Sequence, residues 1–237
     1  TIPQVIDFLP TSDQGTMPYV GGLYYLLLTG EIPTKEQAEE IELEWCKRSD
    51  IPPYIFQMLR DIPRETHPMV MFSQAVLALQ PYSKFYKKYQ EGMPKEEYWE
   101  PALEDCLDLT AKLPGIAAYI YNLKYKEGQE PDCANLDYGA NFAAMIGVED
   151  QLGYADLARL YFIIHSDHEL GNASAHTTHL VSSTLSDIFY AYSAGLNALA
   201  GPLHGLANQK GLDWLLGVRD KFGGVPTRKQ LHDYAWD

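Results

Sequence analysis

Apolar residues recur along most of this chain at the three- and four-residue spacing of an α-helix, whereas alternating runs of β-branched residues are nearly absent. Residues 34–49 are a clear case, because Thr34 and Gln37 have the spacing of a capping box. One face of that segment carries Ala38, Ile41 and Trp45. The pattern predicts an all-α fold of many helices joined by short connections.

Three further segments carry the same pattern at greater length. Residues 96–125 predict a long helix that Pro114 should kink or split. Residues 156–165 are strongly apolar, and residues 174–200 have the pattern of one long helix with few charges. Because that last helix is apolar nearly all round, we expect it to be buried on most sides.

The end of the chain carries a second capping box, Thr227 with Gln230, and the helical pattern that follows is still running at Asp237. Natural domains seldom stop within such a pattern, so we expect the sequence to be a piece of a longer protein. The longest uncharged run, residues 188–209, contains too many polar side chains for a membrane span.

The composition of the chain limits the classes of molecule that it is expected to bind. The chain of 237 residues has 18 basic and 32 acidic residues, a net charge of −14, which argues against a nucleic-acid-binding surface. The three cysteines, Cys46, Cys106 and Cys133, are odd in number and have no zinc-site spacing. We therefore expect reduced thiols in a reducing compartment.

Histidines are concentrated in one part of the chain that has no basic residue. Residues 160–209 contain no Lys or Arg, and five of the 7 histidines fall there: His165, His168, His176, His179 and His204. Clustered imidazoles in an uncharged setting can be catalytic groups, metal ligands or hydrogen-bonded core residues. The metal interpretation is the weakest, because neither cysteine ligands nor an HExxH motif is present. His176 and His179 are expected to be hydrogen-bonded core histidines.

The segment around His204, GPLHGLAN, places a histidine among small residues just before a predicted helix. Small neighbours allow a ligand to approach closely, and the positive end of a helix dipole disfavours imidazolium. A neutral histidine in that position can donate an N–H to a developing oxyanion or enolate. A loop histidine that merely caps a carbonyl group is the alternative. In the segment 165–177, Asn172 or Ser174 is expected to cap the following helix.

These two histidine segments carry a resemblance to a known family. HSDHELGNASAHTTHL, followed 36 residues after His168 by GPLHGLANQ, resembles citrate synthase of the eukaryotic mitochondrial type. Leu170 stands where that branch usually has a glycine. Further segments that resemble the family extend along the chain: LLLTGEIPT, HPM, YWEPALEDCLDLTAKLPGIAAYIY, LDYGANFAAMIG and DYAW.

The resemblance implies an all-α enzyme with a large and a small domain in each subunit of a homodimer. It implies condensation of acetyl-CoA with oxaloacetate and hydrolysis to citrate and CoA, with no metal and no cofactor beyond the CoA thioester substrate. By the motif match, His204 is the catalytic histidine at the thioester carbonyl, and His168 and Asn172 bind oxaloacetate. The implied location is the mitochondrial matrix, with a peroxisomal or cytoplasmic location as alternatives.

The same resemblance implies further catalytic groups whose motifs do not occur in these residues: an aspartate base, a third histidine and arginine clamps. We therefore expect residues 1–204 to be most of a large domain and residues 205–237 to begin a small domain. The 237-residue chain alone should be inactive. Two alternatives remain at this point: a 2-methylcitrate synthase that uses propionyl-CoA, and a non-catalytic dimerisation or scaffold module.

Overall fold

The computed structural model describes residues 2–166 and 171–236, and these form an all-α fold, as predicted. None of the described helices combines the length and the apolar composition that crossing a bilayer requires. The helices are α1 (Ile2–Phe8), α2 (Val20–Thr29), α3 (Lys35–Arg48), α4 (Pro53–Asp61), α5 (Pro68–Ala78), α6 (Lys84–Gln90), α7 (Trp99–Tyr125), α8 (Tyr138–Ile146), α9 (Gln151–His165), α10 (Ala173–Ser182), α11 (Ile188–Leu199), α12 (Ala207–Phe222) and α13 (Arg228–Trp236).

Side-chain caps fix where several helices begin. Thr34 and Gln37 form the predicted capping box at the start of α3, each side chain bonding to the other residue's backbone N–H. The second box, Thr227 with Gln230, forms in the same way before α13. These local signals need no tertiary contact, which is why the sequence reveals them.

The main hydrophobic core surrounds α7, the longest described helix. Ile116 and Tyr119 of α7 are fully buried against α4, α5 and α11, together with Val76 and Leu79 from the α5 segment. A second apolar cluster lies where α2, α3 and α9 meet α7 and α8, around Trp45. Ala38 and Trp45 of α3 are buried, as the helical spacing predicts.

Pro114 lies inside α7, yet the helix is not split there. A proline cannot donate to the carbonyl four residues earlier, so the Thr110 carbonyl lacks its helical partner. The Tyr138 hydroxyl, from the first residue of α8, donates to that Thr110 oxygen at 2.9 Å. A tertiary hydrogen bond thus replaces the missing helical one and lets the long helix continue.

We expect Tyr138→Phe to lower the free energy of unfolding by about 1–3 kcal/mol, because the Thr110 carbonyl then has neither its helical nor its tertiary donor. The matched control is Tyr125→Phe, since Tyr125 is 70% exposed, and that change should stay within about 0.5 kcal/mol. Urea unfolding of both variants measures the two costs. Equal stability of the two variants would show that the Tyr138 hydroxyl does not compensate for Pro114.

The prediction of a single long helix over residues 174–200 is wrong. The chain instead forms α10 and α11, which pack along each other, with a turn at residues 183–187. Leu185 has a positive φ of 62°, and Asp187 caps α11 by accepting from the Phe189 and Tyr190 N–H groups. The predicted burial holds for α11 but not for α10, in which no residue is buried.

α12 and α13 contact each other through Trp214, Phe222 and Tyr234, with the Lys221 ammonium 4.1 Å from the centre of the Tyr234 ring. The side chain of Asn208 in α12 donates to the Tyr161 hydroxyl of α9 at 3.4 Å. The domain boundary predicted after His204 falls in the turn between α11 and α12. The division into domains 1–204 and 205–237 stays a prediction.

The expectation of three reduced thiols is wrong for two of them. Cys46, in the last turn of α3, and Cys133, in the connection between α7 and α8, form a disulfide. They are 87 residues apart in sequence, so no local spacing signal could reveal the pair. Cys106 is a free thiol, and burial raises its pKa to about 11.

Candidate active site

His204 lies in the turn that joins α11 to α12, three residues before α12 begins, as the sequence predicts. The turn folds back on the end of α11, because the Gly205 N–H donates to the Leu199 carbonyl at 3.0 Å. A Cβ atom on Gly205 would lie 2.1 Å from that carbonyl oxygen, so this position requires glycine. The glycine next to His204 therefore serves to close the turn that presents the imidazole.

The side chains of His204 and Ser174 are in direct contact. Ser174 Oγ lies 2.6 Å from His204 Nε2, although the two residues are 30 positions apart. Ser174 is in the first turn of α10, which packs closely on α11 at Gly195. A Cβ atom there would lie 2.3 Å from Thr178 Oγ1 and 3.3 Å from the Ser174 carbonyl oxygen. The small residue at 195 thus lets α10 approach the end of α11 that carries His204.

Asn172 caps α10, and this decides between the two capping candidates. Its Oδ1 atom accepts from the N–H groups of Ser174 and Ala175 at 2.9 and 3.2 Å. The cap uses the amide oxygen and leaves the Nδ2 donor of Asn172 for another partner. Asn172 is half-buried and lies two residues before Ser174, so it belongs to the same end of α10 as the serine that contacts His204.

His168 was predicted to bind oxaloacetate, and it lies outside the described residues. The described chain reaches Ser166 on one side and resumes at Gly171 on the other. His165, at the end of α9, bonds through Nδ1 to the Tyr161 carbonyl oxygen and stacks on the Tyr161 ring. Its polar contact is therefore within its own helix.

The prediction that His176 and His179 are core histidines is wrong, since both are exposed on α10. His67 has a structural role, because its Nδ1 accepts from the Met69 N–H at the start of α5. Within residues 2–166 and 171–236, no group of three or more potential metal ligands lies close enough to hold an ion. Among the described histidines, His204 combines partial burial with a contact to a second polar side chain.

A buried ionic network supports α9, the helix that leads into the segment with His168. The Arg159 side chain has no exposed area and binds Asp137 of the α8 cap and Asp156 of α9, each at 2.7 Å. Asp156 also accepts from the Thr16 backbone at 2.9 Å. The network therefore links three parts of the chain: the N-terminal loop, the first turn of α8, and α9. Sequence reasoning treated residues 156–165 as an apolar helix and missed this arginine.

Glu42 of α3 forms a second buried link in the same region. Its two carboxylate oxygens accept from the Gly21 N–H at 2.7 Å and the Tyr138 N–H at 2.6 Å. Burial raises the pKa of Glu42 to about 7, while the two backbone donors act to lower it. The side chain thus joins the first turns of α2 and α8 to α3.

The contact that sequence reasoning missed is the one between Ser174 and His204. Ser174 was considered only as a helix cap, and no periodicity relates residues that lie on different helices. The absence of Lys and Arg from residues 160–209 remains a feature of this region. The described site has a histidine, a serine and an amide close together, and a dianionic ligand would need cations from elsewhere.

The chain matches a known family over most of its length. The family model for the C-terminal domain of citrate synthase matches residues 18–237. The chain is 46% identical over 237 residues to citrate synthase 4, mitochondrial, of Arabidopsis thaliana, and 47% identical over 238 residues to the mitochondrial citrate synthase of Saccharomyces cerevisiae. Each alignment covers 100% of this chain and 50% of the relative, so the chain spans about half the length of these curated relatives.

Solved structures agree with this match. The fold is similar to citrate synthase from Pyrobaculum aerophilum, with a TM-score of 0.74 and 32% identity over 88% of this chain and 50% of that one. It is also similar, at a TM-score of 0.67 and 21% identity, to citrate synthase from Thermoplasma acidophilum, solved with carboxymethyl coenzyme A and oxaloacetate. That alignment covers 86% of this chain and 49% of the other. The chain therefore belongs to the citrate synthase family.

Proposed function

We propose that the full-length protein containing this chain condenses acetyl-CoA with oxaloacetate and water to give citrate and CoA. The observation that carries the proposal is the contact between Ser174 and His204, because it fixes an imidazole in a turn that family membership associates with this chemistry. The Thermoplasma relative was solved with oxaloacetate and a CoA analogue, and this supports the same substrate classes. Mitochondrial names among the relatives support the mitochondrial matrix as the location.

The contact geometry assigns roles to the two ring nitrogens of His204. If the Ser174 hydroxyl donates to Nε2, the neutral ring carries its proton on Nδ1. Nδ1–H can then donate to the thioester carbonyl oxygen as the acetyl methyl group loses a proton. Such preorganised donors stabilise the negative charge that develops on an enolate oxygen.

The remaining steps of the reaction are a condensation and then a hydrolysis. The enolate carbon of the acetyl group attacks the ketone carbon of oxaloacetate, a carbon–carbon bond forms as the ketone π bond breaks, and the former ketone oxygen takes up a proton to become a hydroxyl group. Water then cleaves the thioester and releases CoA. Removal of the methyl proton requires a positioned carboxylate base, which the family resemblance places outside these residues.

We assign oxaloacetate binding to His168 and Asn172. The cap of α10 occupies Oδ1 of Asn172, so Nδ2 is the atom that would donate to a substrate carboxylate or keto oxygen. A dianion also requires arginines, and residues 160–209 supply none. We therefore place the arginine clamps in another part of the full-length protein, in agreement with the family pattern of a homodimer that completes its sites across subunits.

Release of CoA from acetyl-CoA in the presence of oxaloacetate tests the proposal directly. We expect turnover by the full-length protein and none by the isolated 237-residue chain. Propionyl-CoA is the discriminating control, because one methyl group changes selectivity by only about 1–3 kcal/mol. A higher kcat/KM for propionyl-CoA would identify a 2-methylcitrate synthase, and no turnover of either thioester by a dimeric protein would support a scaffold.

We expect Ser174→Ala to lower kcat about tenfold or less, because one hydrogen bond that orients His204 is worth about 0.5–1.5 kcal/mol. KM for oxaloacetate should change little. Ser174→Thr keeps a hydroxyl group and should restore most of the activity. Steady-state kinetics of both variants measures this, and equal losses in the two variants would mean that the hydroxyl does not position His204.

A further inference from the structure

Cys46 and Cys133 bring two distant parts of the chain together at one point. Their Cα atoms are 6.5 Å apart, within the range that a disulfide spans without backbone movement. Cys46 lies in the last turn of α3, and Cys133 lies in the connection at residues 126–137 between α7 and α8. Asn135, from the same connection, has its Oδ1 atom 3.4 Å from Cys46 Sγ.

Further contacts of this connection are made with α4, α7 and α8. Glu130 binds Arg60 of α4 at 2.6 Å, and the Asn122 amide of α7 donates to the Gln129 carbonyl at 3.1 Å. Towards α8, the Ala134 N–H donates to Asn141 Oδ1 at 2.9 Å. The disulfide is thus the direct covalent tie between this connection and α3.

We propose that Cys46 and Cys133 form a reversible redox site, which a disulfide compound such as oxidised glutathione, or an oxidised thiol oxidoreductase, converts from two thiols to one cross-link. One cysteine thiolate attacks the oxidant's disulfide and releases a thiol, and a mixed disulfide forms. The second cysteine then attacks the protein sulfur and releases the second thiol. The two protein thiols lose two electrons and two protons, and the oxidant gains them.

Pairing distinguishes Cys46 and Cys133 from the third cysteine, because all three are half-buried and Cys106 has no cysteine partner. Cys46 and Cys133 are both half-buried, so a small thiol or disulfide can reach them. Cys106 lies on α7, where burial raises the pKa of its thiol to about 11 and keeps it protonated. Cross-linking residues 87 apart restricts the unfolded chain strongly, so the oxidised protein should be the more stable form.

Thiol mapping of the full-length protein in glutathione buffers of varied ratio tests the proposal, with alkylation followed by peptide mass spectrometry. We expect a linked Cys46–Cys133 peptide that disappears as reduced glutathione increases, and slow alkylation of Cys106 at every ratio because its thiol stays protonated. Thermal unfolding should show the oxidised form about 5 °C or more above the reduced form. Limited trypsin digestion should cut after Lys126 faster in the reduced protein.

Cys46→Ser should abolish the redox dependence of the midpoint, because serine can still bond to Asn135 but cannot form the cross-link. In the matched control, Cys106→Ser, the midpoint of thermal unfolding should still depend on the redox state. A pair that stays reduced at every ratio, a pair that cannot be reduced in the folded protein, or a redox-dependent midpoint that persists in Cys46→Ser would each overturn the proposal. These measurements record thiol content and stability, so they are independent of the proposed catalytic function.

Discussion

His204→Ala in the full-length protein is expected to lower kcat about 10²–10³-fold, the loss seen when one preorganised donor to a developing oxyanion is removed. The structure motivates this size of effect, because His204 is held by Ser174 at 2.6 Å in a turn that Gly205 closes. KM for oxaloacetate should change far less, since oxaloacetate binding is assigned to His168 and Asn172. Steady-state kinetics with each substrate varied in turn measures both quantities.

The control for this variant is His176→Ala. His176 is exposed on α10, two residues beyond Ser174, and should have full activity as alanine. The comparison separates a role of the imidazole at position 204 from a general effect of removing a histidine near the site. Equal activity of the two alanine variants would remove His204 from the mechanism.

Arg159→Met is expected to lower the free energy of unfolding by about 3–5 kcal/mol. The guanidinium has no exposed area and binds Asp137 and Asp156, so its removal leaves two carboxylates without their cation. Because methionine fills part of the volume of the arginine side chain, the loss of stability measures mainly the removal of the positive charge. Urea unfolding of the full-length protein, followed by tryptophan fluorescence, measures the change.

Two further variants define the origin of that loss. Lys35→Met removes an ion pair with Asp13 whose side chains are 43% and 67% exposed, and should cost much less stability than Arg159→Met. Adding Asp137→Asn to Arg159→Met should recover part of the stability, because the unpaired negative charge is then absent. If the double variant is as unstable as the sum of the single changes, the ion pair is not the source of the loss.

Local signals account for the features that the sequence predicts correctly. The capping boxes at Thr34 and Thr227 depend on residues three positions apart, and the burial of Ala38 and Trp45 follows from helical periodicity. The segment with His204 was placed correctly before a helix for the same reason. Each of these inferences uses information within one or two helical turns.

The errors and omissions concern contacts between distant residues. The sequence does not reveal the turn before Asp187 that separates α10 from α11, because a run of apolar and small residues fits one long helix as well as two packed helices. Arg159 and Asp137, and likewise Cys46 and Cys133, meet only after the helices have packed. The Ser174–His204 contact also belongs to this class, so the partner of His204 could not be identified from spacing.

The central claim is that Nδ1 of His204, with Nε2 held by Ser174, donates to the thioester oxygen of acetyl-CoA. A crystal structure of the full-length protein with oxaloacetate and carboxymethyl-CoA, which carries a carboxylate on the carbon bonded to sulfur, tests this most directly. We predict His204 Nδ1 about 2.7–3.1 Å from an analogue oxygen, with the Ser174 contact retained. An analogue bound away from His204, or one that faces Nε2 in place of Ser174, would contradict the claim.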